Sequence, residues 1–208
     1  VLGDRIVASG RPGTMIDLIA GFHDQPDALA ALDASAGVPL DRVRLRAPVL
    51  RPGKIFAIGL NYADHIAESK METPQRQVWF TKAQTCVNGP YDPILIASGA
   101  PFVDYEVELV AVIGRRGKHI PTERAHEHVF GYCVGNDVTE RMWQHAGPQW
   151  SLGKSFDTHA PIGPWITTAD EIGDPHALGV RCSVNGVERQ HSNTCLLYTS
   201  PSPRDRTR

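Results

Sequence analysis

The sequence predicts a strand-rich α+β fold organised around one main core, and three observations predict it. Nineteen glycines and sixteen prolines stand among 208 residues, above the average share of roughly 12%. That surplus reads as many turns between short strands rather than as a helical bundle. Apolar residues are 41% and charged residues 21%, so the chain can bury a core and is not disordered by composition. Helical patterns are few and short, whereas extended, alternating patterns fill the chain from Arg51 to Thr194.

Residues 1–50 read as a small N-terminal subdomain. Ile16 to Phe22 and Asp27 to Ala36 suggest short helices, with Pro26 suited to a first turn and Gly37 to a helix end. Leu40 to Val49 alternates apolar and charged residues and predicts a strand. Pro52-Gly53 marks a turn, and Lys54 to Gly59 a buried strand. Residues 51–194 form the main unit, with loops at Gly89-Pro90, Ser98-Gly99, Pro148 and Gly163-Pro164. A long strand is expected over Val103 to Ile113, and helices around Thr122 to Val129 and from near Thr139. No internal repeat is visible. Residues 195–208 (CLLYTSPSPRDRTR) hold three arginines, one aspartate and two prolines without periodicity. They read either as a basic arm for an acidic partner or as a terminus foreign to the fold, and the latter is the expectation.

A formal net charge of −2 gives no support to nucleic-acid binding or a polybasic membrane contact. No apolar run approaches the eighteen or so residues of a membrane span. The chain opens on Val1 without a charged-then-apolar leader, and the expectation is that its true start lies upstream. Cys86, Cys133, Cys182 and Cys195 form no CxxC pair, which excludes a zinc knuckle or a thioredoxin-like motif. Scattered thiols of this kind suit a cytoplasmic protein.

The strongest chemical feature is the acidic strand V-D-Y-E-V-E-L-V-A-V-I over Val103 to Ile113. Alternation places Asp104, Glu106 and Glu108 on one face, with same-face neighbours roughly 7 Å apart. Val110 and Val112 continue that face as apolar, so the carboxylates open off a partly buried strand. They repel one another unless a cation or basic group neutralises them. An amphipathic edge strand with a solvated acidic face is the plainer alternative. A further acid in Gly135-Asn136-Asp137 favours the first reading, because oxygen-only ligands suit a hard cation such as Mg2+, Mn2+ or Ca2+.

Two further constellations carry chemistry. In Asn61 to Glu68, His65 and Glu68 stand three apart and would share a helical face. A carboxylate beside an imidazole orients it as a base, although an ordinary surface pair has the same spacing. Arg141 and Gln144, also three apart, precede Gly153-Lys154-Ser155-Phe156. They could aim donors at an anion or form a solvated face. Lys82, in Phe80-Thr81-Lys82, is a further basic candidate. No GxSxG, P-loop or GxGxxG occurs.

Taken in order, these stretches resemble the fumarylacetoacetate hydrolase family. The matching runs are Ile58 to His65, Asp104 to Leu109, Gly135 to Thr139 with Arg141 and Gln144, and Gly153 to Asp157 with Pro161 to Pro164. The resemblance covers roughly Arg51 to Thr194. It implies a mixed β-sandwich roll, with residues 51–194 as the catalytic domain, and an enzyme that is a homodimer when full length. It implies Glu106, Glu108 and Asp137 as ligands of Mg2+ (or Mn2+ or Ca2+), with Asp104 in the motif but not a ligand. It implies His65 and Glu68 as the water-activating pair, Lys154 as a catalytic charge, and Arg141, Gln144 and Lys82 as holders of the substrate.

The implied reaction is hydrolysis of a carbon–carbon bond in a 2,4-diketo acid. Decarboxylation, isomerisation or hydration of a 2-oxo acid on the same fold is the alternative. Family members continue past Thr194 into further core strands, so the expectation is a catalytic domain incomplete at its C-terminus. An inactive fragment or a metal-binding interaction module is the reading from another class.

Overall fold

The computed structural model describes residues 1–24, 29, 31–62 and 76–197. The leading segment pairs Arg5–Ile6 (β1) antiparallel with Val38–Pro39 (β2). Between them lies the helix Met15–Gly21 (α1), which begins at Thr14. The Thr14 hydroxyl accepts from the Asp17 amide, and the Asp17 carboxylate accepts from the Thr14 amide at 2.7 Å. This reciprocal cap satisfies donors that a helix start leaves unpaired. Ile19 is buried with Val49 and Phe130, and Leu18, Phe22, Val112 and Ile166 pack around them. Phe22 meets Phe130 edge-on at 5.0 Å, so the leading helix is anchored on the main sheet.

Two expectations for this segment are corrected. Of the helix expected over Asp27 to Ala36, residues 27, 28 and 30 lie outside the described residues, and Ala34–Ala36 is a single 3₁₀ turn capped by Asp33. Leu40 to Val49 is not a strand: Leu40–Arg42 is a 3₁₀ turn, and an irregular run without strand pairing follows. Alternation describes any half-buried extended chain, whereas a strand also needs a neighbouring backbone. Ala47 and Val49 are buried here without one.

Phe56–Gly59 (β3) and Val78–Thr81 (β4) form an antiparallel pair, Phe56 opposite Thr81. Val87–Asn88 (β5) follows. The expected acidic strand is real but interrupted. Val103–Asp104 (β6) and Val107–Ile113 (β7) are separated by Tyr105 and Glu106. The segment Thr122–His128 is a 3₁₀ helix rather than an α-helix. Val129–Asn136 (β8) leads through Asp137 and Val138 into Thr139–Glu140 (β9) and the helix Arg141–His145 (α2). Ser151–Lys154 (α3), Ala160–Thr168 (β10) and Ala169–Ile172 (α4) come next. The hairpin of Gly179–Val184 (β11) and Val187–Asn193 (β12) ends the described strands. Its turn holds Asn185 and Gly186 at φ 52° and 79°, the left-handed pair that two-residue hairpins favour.

The main sheet has the order β5-β10-β8-β7. β7 and β8 are antiparallel, from Val107 opposite Asn136 to Ile113 opposite Val129. β10 is antiparallel to β8 and parallel to β5. β6 pairs with β9, Asp104 opposite Thr139. The register therefore brings the interruption in the acidic strand beside the end of β8. No helix among the described residues is long and apolar enough to cross a membrane, and all four cysteines are free.

Gly131 sits where β8 meets the irregular part of β10, and a Cβ there would drive into the Thr167 carbonyl oxygen. Gly131→Ala is expected to cost about 2 kcal/mol and lower Tm by roughly 4–8 °C. Gly147, around which a Cβ would meet nothing within 4 Å, provides the control. Its alanine variant should melt within about 2 °C of the parent in a thermal scan.

Candidate active site

Asp137, Glu106 and Asp104 are gathered by backbone bonds before their side chains meet anything. The Asp137 amide donates to the Glu106 carbonyl at 2.8 Å, and the Glu106 amide donates to Asn136 Oδ1 at 3.0 Å. The Arg141 amide donates to the Phe102 carbonyl at 2.9 Å. Glu140 is completely buried and ties the two sides together. Its Oε1 accepts from the Phe102 amide at 3.0 Å and its Oε2 from the Trp143 amide at 2.7 Å, which caps α2.

Onto this frame project three cations. Lys154 Nζ donates to Glu106 Oε2 at 2.8 Å and to Asp137 Oδ2 at 2.7 Å, and lies 4.9 Å from the centre of the Phe80 ring. Lys82 Nζ donates to Asp137 Oδ1 at 2.6 Å and to the carbonyl of Lys154. The two lysine side chains are only 4% and 2% exposed, Lys82 and Lys154 respectively. Arg141 donates twice to Asp104 Oδ2, at 3.1 and 2.7 Å, and pairs with Glu106 Oε1 at 2.5 Å. Its Nη1 also donates to Gln144 Oε1 at 3.1 Å. Burial works against the Arg141 charge, and Glu106 and Asp104 more than restore it. α2 and α3 touch closely because Gly153 has no side chain: a Cβ would enter the Gln144 amide and the Glu140 carbonyl.

Glu108 is the exception. Among the described residues it makes no ion pair, and its carboxyl is pushed up to about 8. Burial is the largest cause, followed by the charges of Glu106 and Asp137, with Lys154 partly offsetting them. Asp104, Glu106 and Asp137 thus meet the three cations, and Glu108, left without one, favours its neutral, protonated form. It also lines a cavity of about 210 Å3 with Asn61, Tyr62, Leu109, Tyr132 and His176.

The donor chemistry fits a hard divalent cation, since Glu106, Glu108 and Asp137 offer only carboxylate oxygens and Glu108 makes no ion pair among the described residues. The described residues hold no ready-made cluster of three acidic or imidazole ligands. In this arrangement the Lys154 ammonium lies within hydrogen-bond reach of both Glu106 and Asp137.

Six of the predicted residues therefore meet directly: Glu106, Asp137, Lys82, Lys154, Arg141 and Gln144. Glu108 adjoins them electrostatically. His65 and Glu68 lie outside the described residues. Sequence reasoning missed Glu140, Thr139 and His159, each completely buried here. Thr139 donates to Glu106 Oε1 at 3.2 Å. Burial also lowers the His159 pKa. Adjacency of Thr139 and Glu140 to Arg141 was the available clue, but burial of a polar residue leaves no periodic mark.

The family described as "Fumarylacetoacetate (FAA) hydrolase C-terminal" matches residues 54–203. The chain is similar to the mitochondrial oxaloacetate tautomerase fahd2 of Xenopus laevis, 46% identical over 170 residues, which is 80% of this chain and 53% of the relative. The bovine oxaloacetate tautomerase FAHD2A is 45% identical over 76% of this chain and 51% of its own length. The chain thus spans about half the length of these curated relatives. Its structure resembles that of 5-carboxymethyl-2-hydroxymuconate delta-isomerase from Mycobacterium smegmatis, with a TM-score of 0.70 and 41% identity, over 80% of this chain and 63% of that one. It also resembles maleylpyruvate hydrolase from Sphingobium sp. SYK-6, solved with manganese(II) and pyruvate, with a TM-score of 0.75 and 33% identity, over 95% and 73%.

The raised Glu108 carboxyl has a defined pH consequence. The folded chain keeps this proton where the unfolded chain has lost it, so the contribution favours folding at low pH. It declines as pH rises from the ordinary 4.5 through about 8, and is flat above. Urea unfolding of the metal-free protein from pH 5 to 9 should show that decline, and Glu108→Gln should remove it. Parallel curves for the two proteins would contradict the assignment.

Proposed function

The chain belongs to the fumarylacetoacetate hydrolase family, and from that premise we propose that it forms the core of a divalent-metal-dependent enzyme that processes a small 2-oxo acid through its enolate. The reaction we assign is hydrolysis of a carbon–carbon bond in a 2,4-diketo acid. The observation that carries this reading is the convergence of Lys82, Lys154 and Arg141 on Glu106 and Asp137 in a buried site. Such desolvated, fixed charge is worth far more to a developing oxyanion than charge in water. Mg2+, Mn2+ or Ca2+ held by Glu106, Glu108 and Asp137 would supply Lewis-acid polarisation of the 2-oxo group. The manganese and pyruvate in the related maleylpyruvate hydrolase support that choice of ion and acid.

The protein's own groups then divide the work. Arg141 and Gln144, adjacent on one face of α2, orient the substrate carboxylate through N–H donors. Lys82 stands behind Asp137 and balances its charge. Lys154 presents its ammonium where negative oxygen develops. His65, oriented by Glu68, takes a proton from water, and the oxygen of that water adds to the distal carbonyl carbon. The bond from that carbon to C3 breaks with its electron pair moving to the enolate, and the proton on His65 returns to C3.

Enol–keto interconversion of a 2-oxo acid is a second reading, supported by the 46% identity to an oxaloacetate tautomerase. It uses the same oxyanion stabilisation without attack by water. For the whole enzyme we propose a homodimer in a reducing compartment. Four free thiols support such a compartment, either the cytoplasm or the mitochondrion named for the relatives.

Assays of acylpyruvate hydrolysis and of oxaloacetate tautomerisation, each with Mg2+, Mn2+ or Ca2+, separate the readings. Glu106→Ala should lose metal dependence in both. His65→Ala should lose hydrolysis by about 10²-fold or more while tautomerisation stays within a few-fold. Undiminished hydrolysis in His65→Ala would refute the base assignment. Metal binding without turnover of either acid would assign the chain as a binding module instead.

A further inference from the structure

We propose that Gln190 is a positioning residue for Glu106, its side-chain amide serving as the missing strand neighbour at the interruption between β6 and β7. The inference rests on the reading of Glu106 as a metal ligand and extends it to the hairpin of β11 and β12.

Glu106 occupies the gap where the acidic strand leaves its ladder. Its own backbone is held on one side, the amide by Asn136 Oδ1 and the carbonyl by the Asp137 amide. Its two neighbours are held from the other side by one side chain. Gln190 Oε1 accepts from the Val107 amide at 3.0 Å, and Gln190 Nε2 donates to the Tyr105 carbonyl at 3.2 Å. A primary amide offers one acceptor and two donors in a plane, so it reproduces the donor–acceptor pair that an adjacent strand would present. The residues flanking Glu106 are thus both bound to a group 83 to 85 positions away.

The hairpin is shaped for this. β11 and β12 pair Cys182 with Gln190 and then Ser183 with Glu188, so Arg189 is an extra residue on β12. Such a bulge bends a strand and re-aims neighbouring side chains. Gln190 is half-buried while Arg189 and His191 on either side are exposed. The hairpin therefore turns one polar side chain inward at the level of Glu106. Partners that orient a ligating carboxylate are typically worth 10- to 100-fold in metal affinity.

The test uses the full chain, Mn2+ alone as the probe, and two readouts independent of turnover: Mn2+ affinity by calorimetry and hydrogen–deuterium exchange of the Val107 amide by mass spectrometry. Gln190→Met keeps the volume and removes both bonds. It should weaken Mn2+ binding at least about tenfold and speed Val107 exchange, while Arg189→Ala on the same hairpin changes neither. Mn2+ binding by Gln190→Met within twofold of the parent, alongside loss of binding in Glu106→Ala, would overturn the positioning role and leave the ligand reading intact. Parent-like binding by Glu106→Ala would overturn the ligand reading itself, and with it the purpose assigned to Gln190. Should Gln190→Met fail to fold, the unsubstituted chain decides: Mn2+ must slow Val107 exchange while leaving the distant Ile6 amide unchanged. Equal exchange at Val107 with and without Mn2+ would overturn the proposal.

Discussion

The arrangement depends on one electrostatic constraint, the burial of Asp137 between two lysine ammonium groups. Asp137 accepts from Lys82 on one oxygen and from Lys154 on the other, and the lysine side chains are almost wholly excluded from solvent. Removing one partner of such a buried pair typically costs about 3–5 kcal/mol, because the other charge is stranded. Lys82 follows β4, Asp137 follows β8 and Lys154 ends α3. Three segments distant in sequence are therefore obliged to meet at one point. Glu106 joins through Lys154, and Asp104 through Arg141.

Charge balance explains why that point is suited to chemistry rather than to stability alone. Well-packed apolar residues would often hold a core as well as a buried ion pair does. Here Glu108 has no ion pair among the described residues, and burial, followed by the charges of Glu106 and Asp137, pushes its carboxyl up to about 8. A divalent ion would favour the ionised form of Glu108 and leave one positive charge in excess, which suits an anionic ligand. The cavity beside Glu108 adds a mostly apolar wall of Leu109, Tyr132 and Leu197 next to those charges.

Much of this was legible in the residues. The acids of Val103 to Leu109, Asp137, the Arg141 and Gln144 pair and Lys154 all stood out, because chemistry constrains side-chain type at short spacing. The hairpin turn at Asn185-Gly186 emerged only with the structure, although its residue types suit positive φ. Less legible was the strand at Leu40 to Val49, whose alternation reports half-burial but not a partner. The interruption at Tyr105-Glu106 was also hidden: perfect alternation suggested one strand, yet the backbone departs from the ladder where Glu106 must turn toward Lys154. Gln190 gave no mark, since it acts by hydrogen bonds to backbone far along the chain, and Glu140 offered only its adjacency to Arg141.

By itself, the sequence determined the fold class, the family and the chemical types gathered at the site. Periodicity, turn residues and clustered carboxylates are local properties, and local properties survive in a linear string. Tertiary structure alone decided which charges neutralise which. It bound Asp104 to Arg141 rather than leaving it beside Glu106 and Glu108 on a common acidic face. It also left Glu108 as the unpaired acid. The physical reason is that ion pairing and desolvation depend on distances of a few ångströms between residues tens of positions apart. Those distances exist only after the sheet has fixed its register.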